Sequence, residues 1–125
     1  MPSKISLQIK HDSHNLEELA VELNLPIARI WTAGAERKSV NGNLLGGNYD
    51  ESYLALKIES QEETISKAIA IIQERFLIMT NKASIIFTDP NLHKTLYCTV
   101  ISGGERLEFD SLKKLIDLGI ILEID

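Results

Sequence analysis

The sequence predicts an α+β fold in which a mixed, largely antiparallel sheet carries its helices on one face. Three observations predict it. Ile5, Leu7 and Ile9 alternate with polar residues, apolar stripes at helical spacing lie between strand-like segments, and the 125 residues are 44% hydrophobic. We expect one domain over residues 1–125, with the order β-α-β-β-α-β-β-α-β. Its first six elements form a ferredoxin-like core, and a β-α-β extension follows.

Local hydrophobic patterns predict the first strand and the first helix. Alternation over residues 4–10 is typical of a strand with one face in water. Asn15 followed by Glu18 is similar to a capping box, and leucines at helical spacing over 16–23 predict a helix that ends before Pro26.

Residues 28–33 predict a short second strand, which contains Trp31. We interpret this tryptophan as a core residue, with an interface anchor as the alternative. Residues 34–50 hold four of the seven glycines, and Asn41-Gly42 is a strong hairpin signal. The sequence therefore predicts a long flexible loop or a ragged hairpin here.

A third strand is predicted over residues 53–59. Ser60-Gln61-Glu62-Glu63 is a capping box, so the following apolar stripe predicts a helix over 61–81. We then expect a strand over 83–88, an Asp-Pro-Asn turn at 89–91, and an antiparallel strand over 95–101.

The last helix has a sequence signal at each of its ends, and a strand follows it. Asp110 is the predicted N-cap of a helix that carries Leu112, Leu115 and Ile116. Gly119 is the glycine expected just past its end, and residues 120–124 form the closing strand.

Composition restricts the classes of function. The net charge of −5 disfavours nucleic acid or an anionic membrane as partner. Cys98 is the only cysteine, so an internal disulfide is impossible and a cytoplasmic location fits best. The sequence contains no apolar run of membrane-spanning length.

Candidate catalytic and metal residues all have simpler interpretations. His11 and His14 lie beside Asp12, but a zinc site needs further convergent ligands, so we interpret them as capping or solvated side chains. Cys98 alternates in phase with apolar residues and is predicted to be buried and unreactive. We therefore predict no catalytic residue, no metal site and no cofactor, and a protein that is not an enzyme.

The strongest local charge feature is acidic. Residues 50–63 contain five acids and only one base, Lys57. A solvated helix start explains some of them, but the patch also fits a basic protein partner. The candidate contacts are the five acids with one neighbouring aromatic anchor: Tyr49, Asp50, Glu51, Glu59, Glu62 and Glu63.

Three segments resemble a family of small bacterial proteins, domain-of-unknown-function family four-two-seven-nine. They are His14-Asn15-Leu16-Glu17-Glu18-Leu19 with Leu25-Pro26, Ile30-Trp31-Thr32-Ala33-Gly34, and Phe109-Asp110-Ser111-Leu112-Lys113-Lys114-Leu115 with Gly119 to Asp125. Members of that family look like immunity proteins of toxin systems, including contact-dependent growth inhibition. The resemblance implies a cytoplasmic, non-enzymatic protein that binds a cognate toxin C-terminal domain, and it carries over no catalytic residue.

A second class of function stays open. Ferredoxin-like units also act as small-molecule-binding or dimerising regulatory modules. On that reading the open sheet face binds the ligand or a second copy, with Thr95, Tyr97 and Thr99 on it.

Overall fold

The computed structural model describes residues 4–39, 41–58, 65–99 and 109–124, and these form an α+β fold with four helices, a five-stranded sheet and a separate two-stranded sheet. The elements follow in chain order: β1 (Lys4–His11), α1 (Glu17–Leu23), β2 (Ile27–Trp31), β3 (Glu36–Lys38), β4 (Leu44–Asn48), β5 (Ser52–Lys57), α2 (Ile65–Ile78), α3 (Asn81–Phe87), β6 (His93–Thr99), α4 (Phe109–Leu118) and β7 (Ile120–Ile124).

The larger sheet has the strand order β2-β5-β1-β6-β7. β1 is its central strand and pairs antiparallel with both β5 and β6, and β2 pairs antiparallel with β5. β7 is parallel to β6, as expected when a helix connects two neighbouring strands. The sheet is therefore mixed and largely antiparallel, as predicted. The ferredoxin-like description of its first elements remains a prediction.

One face of the sheet carries the hydrophobic core. Ile5, Leu7 and Ile9 on β1 are buried, and all four helices contribute side chains to the same cluster. Because side chains alternate along a strand, Ser6, Gln8 and Lys10 lie on the opposite, open face. Thr95, Tyr97 and Thr99 pair with or lie beside them on that face, as predicted.

The predicted strand over 83–88 is wrong, because Asn81–Phe87 form α3. The Ile85-Ile86-Phe87 run is typical of strands, but a helix buries Ala83, Ile86 and Phe87 together at spacings of three and four. Thr80 caps this helix, and its hydroxyl oxygen accepts a hydrogen bond from the Ala83 N–H. The Asp-Pro-Asn turn therefore joins a helix to β6 and does not join two antiparallel strands.

Other helix boundaries differ less. The Asn15–Glu18 capping box is not formed; Asn15 Oδ1 instead accepts a hydrogen bond from the Glu17 N–H at 2.8 Å. The Ser60–Glu63 capping box lies outside the described residues. Gly119 follows α4 with a φ of +68°, the conformation expected of a glycine after a helix.

Candidate functional site

A hairpin occupies the glycine-rich segment between β2 and β5. β3 and β4 pair antiparallel, which confirms the ragged-hairpin alternative for residues 34–50. Gly34 donates to the Tyr49 carbonyl at 2.9 Å, and the Tyr49 N–H donates to the Ala35 carbonyl at 2.9 Å. These two bonds close the base of the hairpin beside the edge of the larger sheet.

Three aromatic rings fasten the hairpin to the sheet. Trp31 on β2 stacks on Tyr49 with ring centroids 4.7 Å apart, and on Tyr53 of β5 at 4.5 Å. Such pairs stabilise by about 0.5–1.5 kcal/mol each beyond the burial of their area. Trp31 is half-buried on the open face and outside the helix-side cluster, so its interpretation as a core residue is wrong.

Two cations lie against these rings. The Arg29 guanidinium is 5.4 Å from the Trp31 ring centroid, and the Lys10 ammonium is 5.9 Å from that of Tyr53. Both distances lie within the range of cation–π attraction. Burial raises the pKa of the Tyr53 hydroxyl, and the charge of Arg29 opposes this shift in part. The Tyr53 phenol is therefore neutral at physiological pH.

A groove of about 610 Å³ runs beside this aromatic stack. Consecutive residues of β2 from Ala28 to Trp31 line it together with Thr32. The rest of its lining comes from the N-terminus of α1, from the start of the hairpin and from the stack: Glu17, Ala35, Glu36, Lys38, Ser39 and Tyr49. The groove thus lies between the five-stranded sheet and the hairpin.

The predicted partner-binding residues occupy different environments. Tyr49 is half-buried, and its hydroxyl oxygen lies 3.4 Å from the backbone nitrogen of Lys38 and 3.4 Å from the carbonyl oxygen of the same residue. Asp50 is exposed and Glu51 is half-buried at the end of the hairpin. Glu59, Glu62 and Glu63 lie outside the described residues. The structure thus brings Tyr49 into the stack and leaves the two described acids beside it.

Exposed leucines are a feature of this site that the sequence analysis missed. Leu44 is 64% exposed and Leu45 is 55% exposed on β4. The two leucines are consecutive in the sequence and lie in an otherwise glycine-rich and polar segment, and this apolar pair is the signal that could have marked them. Large apolar side chains this exposed on a hairpin are candidates for contact with another protein.

His11 has a structural role at the end of β1. Its Nδ1 accepts hydrogen bonds from the N–H groups of Ser13 and His14, at 3.1 and 2.9 Å, and its Nε2 lies 3.2 Å from Asp89 Oδ2. A hydrogen bond from the Asn91 N–H, with a smaller contribution from His11, holds the pKa of Asp89 below its ordinary value. His11 therefore fastens two turns. It is buried and does not cap α1, so its interpretation as a capping or solvated side chain is wrong, whereas His14 is exposed.

Cys98 is fully buried, as predicted. Among the described residues no three His, Cys, Asp or Glu side chains are grouped as metal ligands. No helix in the described ranges is both long and apolar enough to cross a membrane. Comparisons with protein-family models, with curated proteins and with solved structures found no significant match.

The stack gives a first prediction about the hairpin. We expect Tyr49→Ala to increase amide hydrogen exchange throughout β3 and β4, because it removes the ring that packs on Trp31. The expected loss in local opening free energy is about 1–2 kcal/mol. Tyr49→Phe is the matched control, because it keeps the ring and removes only the two long contacts at 3.4 Å. Equal exchange in the two variants would contradict an anchoring role for the ring.

Proposed function

We propose that this chain is an immunity protein that binds and neutralises a cognate bacterial toxin domain in the cytoplasm, without catalysing a reaction. The observation that carries the proposal is the anchored hairpin, which presents Leu44 and Leu45 to solvent. A protein-binding surface gains affinity when its apolar contacts are held in place before binding, because less conformational entropy is lost. The sequence resemblance supplies the class of partner.

The hairpin leucines give the decisive test. We expect the double variant Leu44→Ser, Leu45→Ser to weaken binding to the toxin domain encoded by the neighbouring gene at least 30-fold. Buried apolar anchors at an interface typically contribute 2 kcal/mol or more. Isothermal titration calorimetry measures the affinity. Val21→Ser is the matched control, because Val21 is 77% exposed on α1 and lies outside the hairpin.

Either of two results would count against this proposal. Absence of a complex between the unmodified chain and the toxin domain would reject the immunity function. Equal weakening by the Val21 control would show that the hairpin is not the specific contact.

The acidic residues give a separate prediction on the rate of binding. A toxin domain that cleaves nucleic acid needs a basic cleft for its substrate. For a partner of this class we expect Asp50→Lys with Glu51→Lys to slow association about tenfold at low salt and to flatten its salt dependence. Glu74→Lys with Asp117→Lys makes the same change in net charge on α2 and α4, where both residues are exposed. Stopped-flow kinetics of the two double variants compare the sites. Equal slowing of association by the two double variants would show that the rate depends on net charge alone and not on the position of Asp50 and Glu51.

A second candidate function is a small-molecule-binding or dimerising regulatory module. The observation that favours it is the open sheet face, where Thr95 and Tyr97 lie opposite Gln8 and Ser6. A saturating thermal shift with a metabolite, or a concentration-dependent dimer in light scattering, would support this function. Neither result is expected of a protein that acts only on a toxin.

A further inference from the structure

The groove beside β2 exposes the backbone edges of two strands. In the described part of the chain, β2 pairs only with β5 and β3 pairs only with β4. Both strands line the groove. Along such an edge, every second residue points its N–H and C=O groups away from the paired strand, and those groups need hydrogen-bond partners.

β2 is only partly protected against pairing with another strand. Natural edge strands are commonly blocked by proline, by inward charges, by β-bulges or by a covering segment. β2 contains no proline, and its single charged residue, Arg29, lies over the Trp31 ring. The register shifts between Ile27 and Arg29, so Ala28 has no partner on β5, and the ladder is regular only from Arg29 to Trp31.

We infer that this groove binds an extended segment of a partner polypeptide, which adds to the free edge of β2 as a further strand. An extended polypeptide is the occupant whose backbone matches a row of unpaired N–H and C=O groups. The ladder of β2 is regular over three residues, Arg29 to Trp31, so about three residues of the segment pair with it. The inference relies on the proposed function only for the identity of the natural partner.

Charge on the two sides of the groove defines the side chains that fit. Arg29 lies on the open face of the sheet, whereas Glu17 belongs to α1 on the helix side, and both line the groove. Side chains of an added strand alternate between these two sides. Glu36 and Lys38 on β3 also line the groove, and their opposite charges leave that side without net charge. The preferred segment therefore alternates an acidic residue, facing Arg29, with a basic residue, facing Glu17.

A random library of linear nine-residue peptides tests this inference without the toxin. Peptides displayed on phage are selected against the intact chain, and their affinities are measured by fluorescence anisotropy. We expect selected peptides to alternate acidic and basic residues. We expect Arg29→Glu to weaken them at least tenfold. Lys57→Glu is the matched control, because Lys57 is an exposed β5 residue outside the groove lining.

The mode of binding has its own readout. We expect a saturating peptide to protect the amides from Arg29 to Trp31 against hydrogen exchange in the unmodified chain. The exchange experiment needs no variant, so its result does not depend on whether a mutant folds.

Three results would overturn the inference. They are selection of no peptide, protection located outside β2, and a concentration-dependent dimer that protects the β2 amides without any peptide, which would identify a second copy as the occupant. Peptide binding without any toxin complex would uphold the groove and reject only the proposed function. A toxin complex that leaves the β2 amides unprotected, together with selection of no peptide, would reject peptide binding in the groove and leave the proposed function standing.

Discussion

Phe87→Ala is expected to lower the free energy of unfolding by about 3–5 kcal/mol, the usual cost of deleting a large buried aromatic side chain. Phe87 is fully buried at the end of α3, and its ring packs 5.5 Å from that of Phe76. The Lys94 ammonium also lies 4.4 Å from its ring centroid. The substitution therefore opens a cavity and removes an aromatic neighbour from a buried cation.

Equilibrium urea unfolding measures this effect, with Ile85→Ala as the control on the same helix. Ile85 is 71% exposed, so its truncation removes little buried surface and is expected to cost well under 1 kcal/mol. Equal losses in the two variants would contradict the burial of the Phe87 face of α3.

Lys94→Met is expected to raise the free energy of unfolding at pH 7 by about 1–3 kcal/mol, because it removes a buried charge. Lys94 is 4% exposed on β6, and its ammonium donates to the Phe87 carbonyl. Burial lowers the pKa of Lys94 from 10.5 to about 8. Loss of the hydrogen bond to the carbonyl offsets part of the gain.

The same lysine makes stability depend on pH in a definite direction. Between pH 8 and 10.5 the unfolded chain still holds the Lys94 proton whereas the folded chain has released it. The unfolded state therefore binds more protons, so the free energy of unfolding rises with pH across this window, and below it the full cost of the buried charge remains.

Urea unfolding at several pH values from 7 to 10.5 tests this dependence. The quantity compared is the free energy of unfolding of Lys94→Met minus that of the unmodified chain. The difference is expected to shrink as the pH rises. Lys57→Met, at an exposed position of β5, controls for the loss of a lysine. A difference that stays constant with pH would show that Lys94 keeps an ordinary pKa in the folded chain.

The sequence predicted the elements whose local pattern and tertiary environment agree. The alternation of Ile5, Leu7 and Ile9 identified β1 because one face of that strand is covered and the other is open. α3 was missed because Ile85 and Ile86 are β-branched, and only the packing of Ala83 and Phe87 decides in favour of a helix.

The candidate site was predictable only in part, because its decisive contacts are long-range. Tyr49 was identified as an aromatic anchor, but its ring packs on Trp31, and nothing local to either residue indicates that pairing. The edge of β2 could not be predicted either. Whether a strand is central or lateral depends on the order β2-β5-β1-β6-β7, which one sequence does not specify.

The central position of β1 has a consequence for the synthesis of the chain on the ribosome. β1 is translated before both of its neighbours, β5 and β6. Its second flank has no strand to pair with until Thr99 has left the exit tunnel. The nascent polypeptide therefore carries β1 with one edge unpaired for most of its translation.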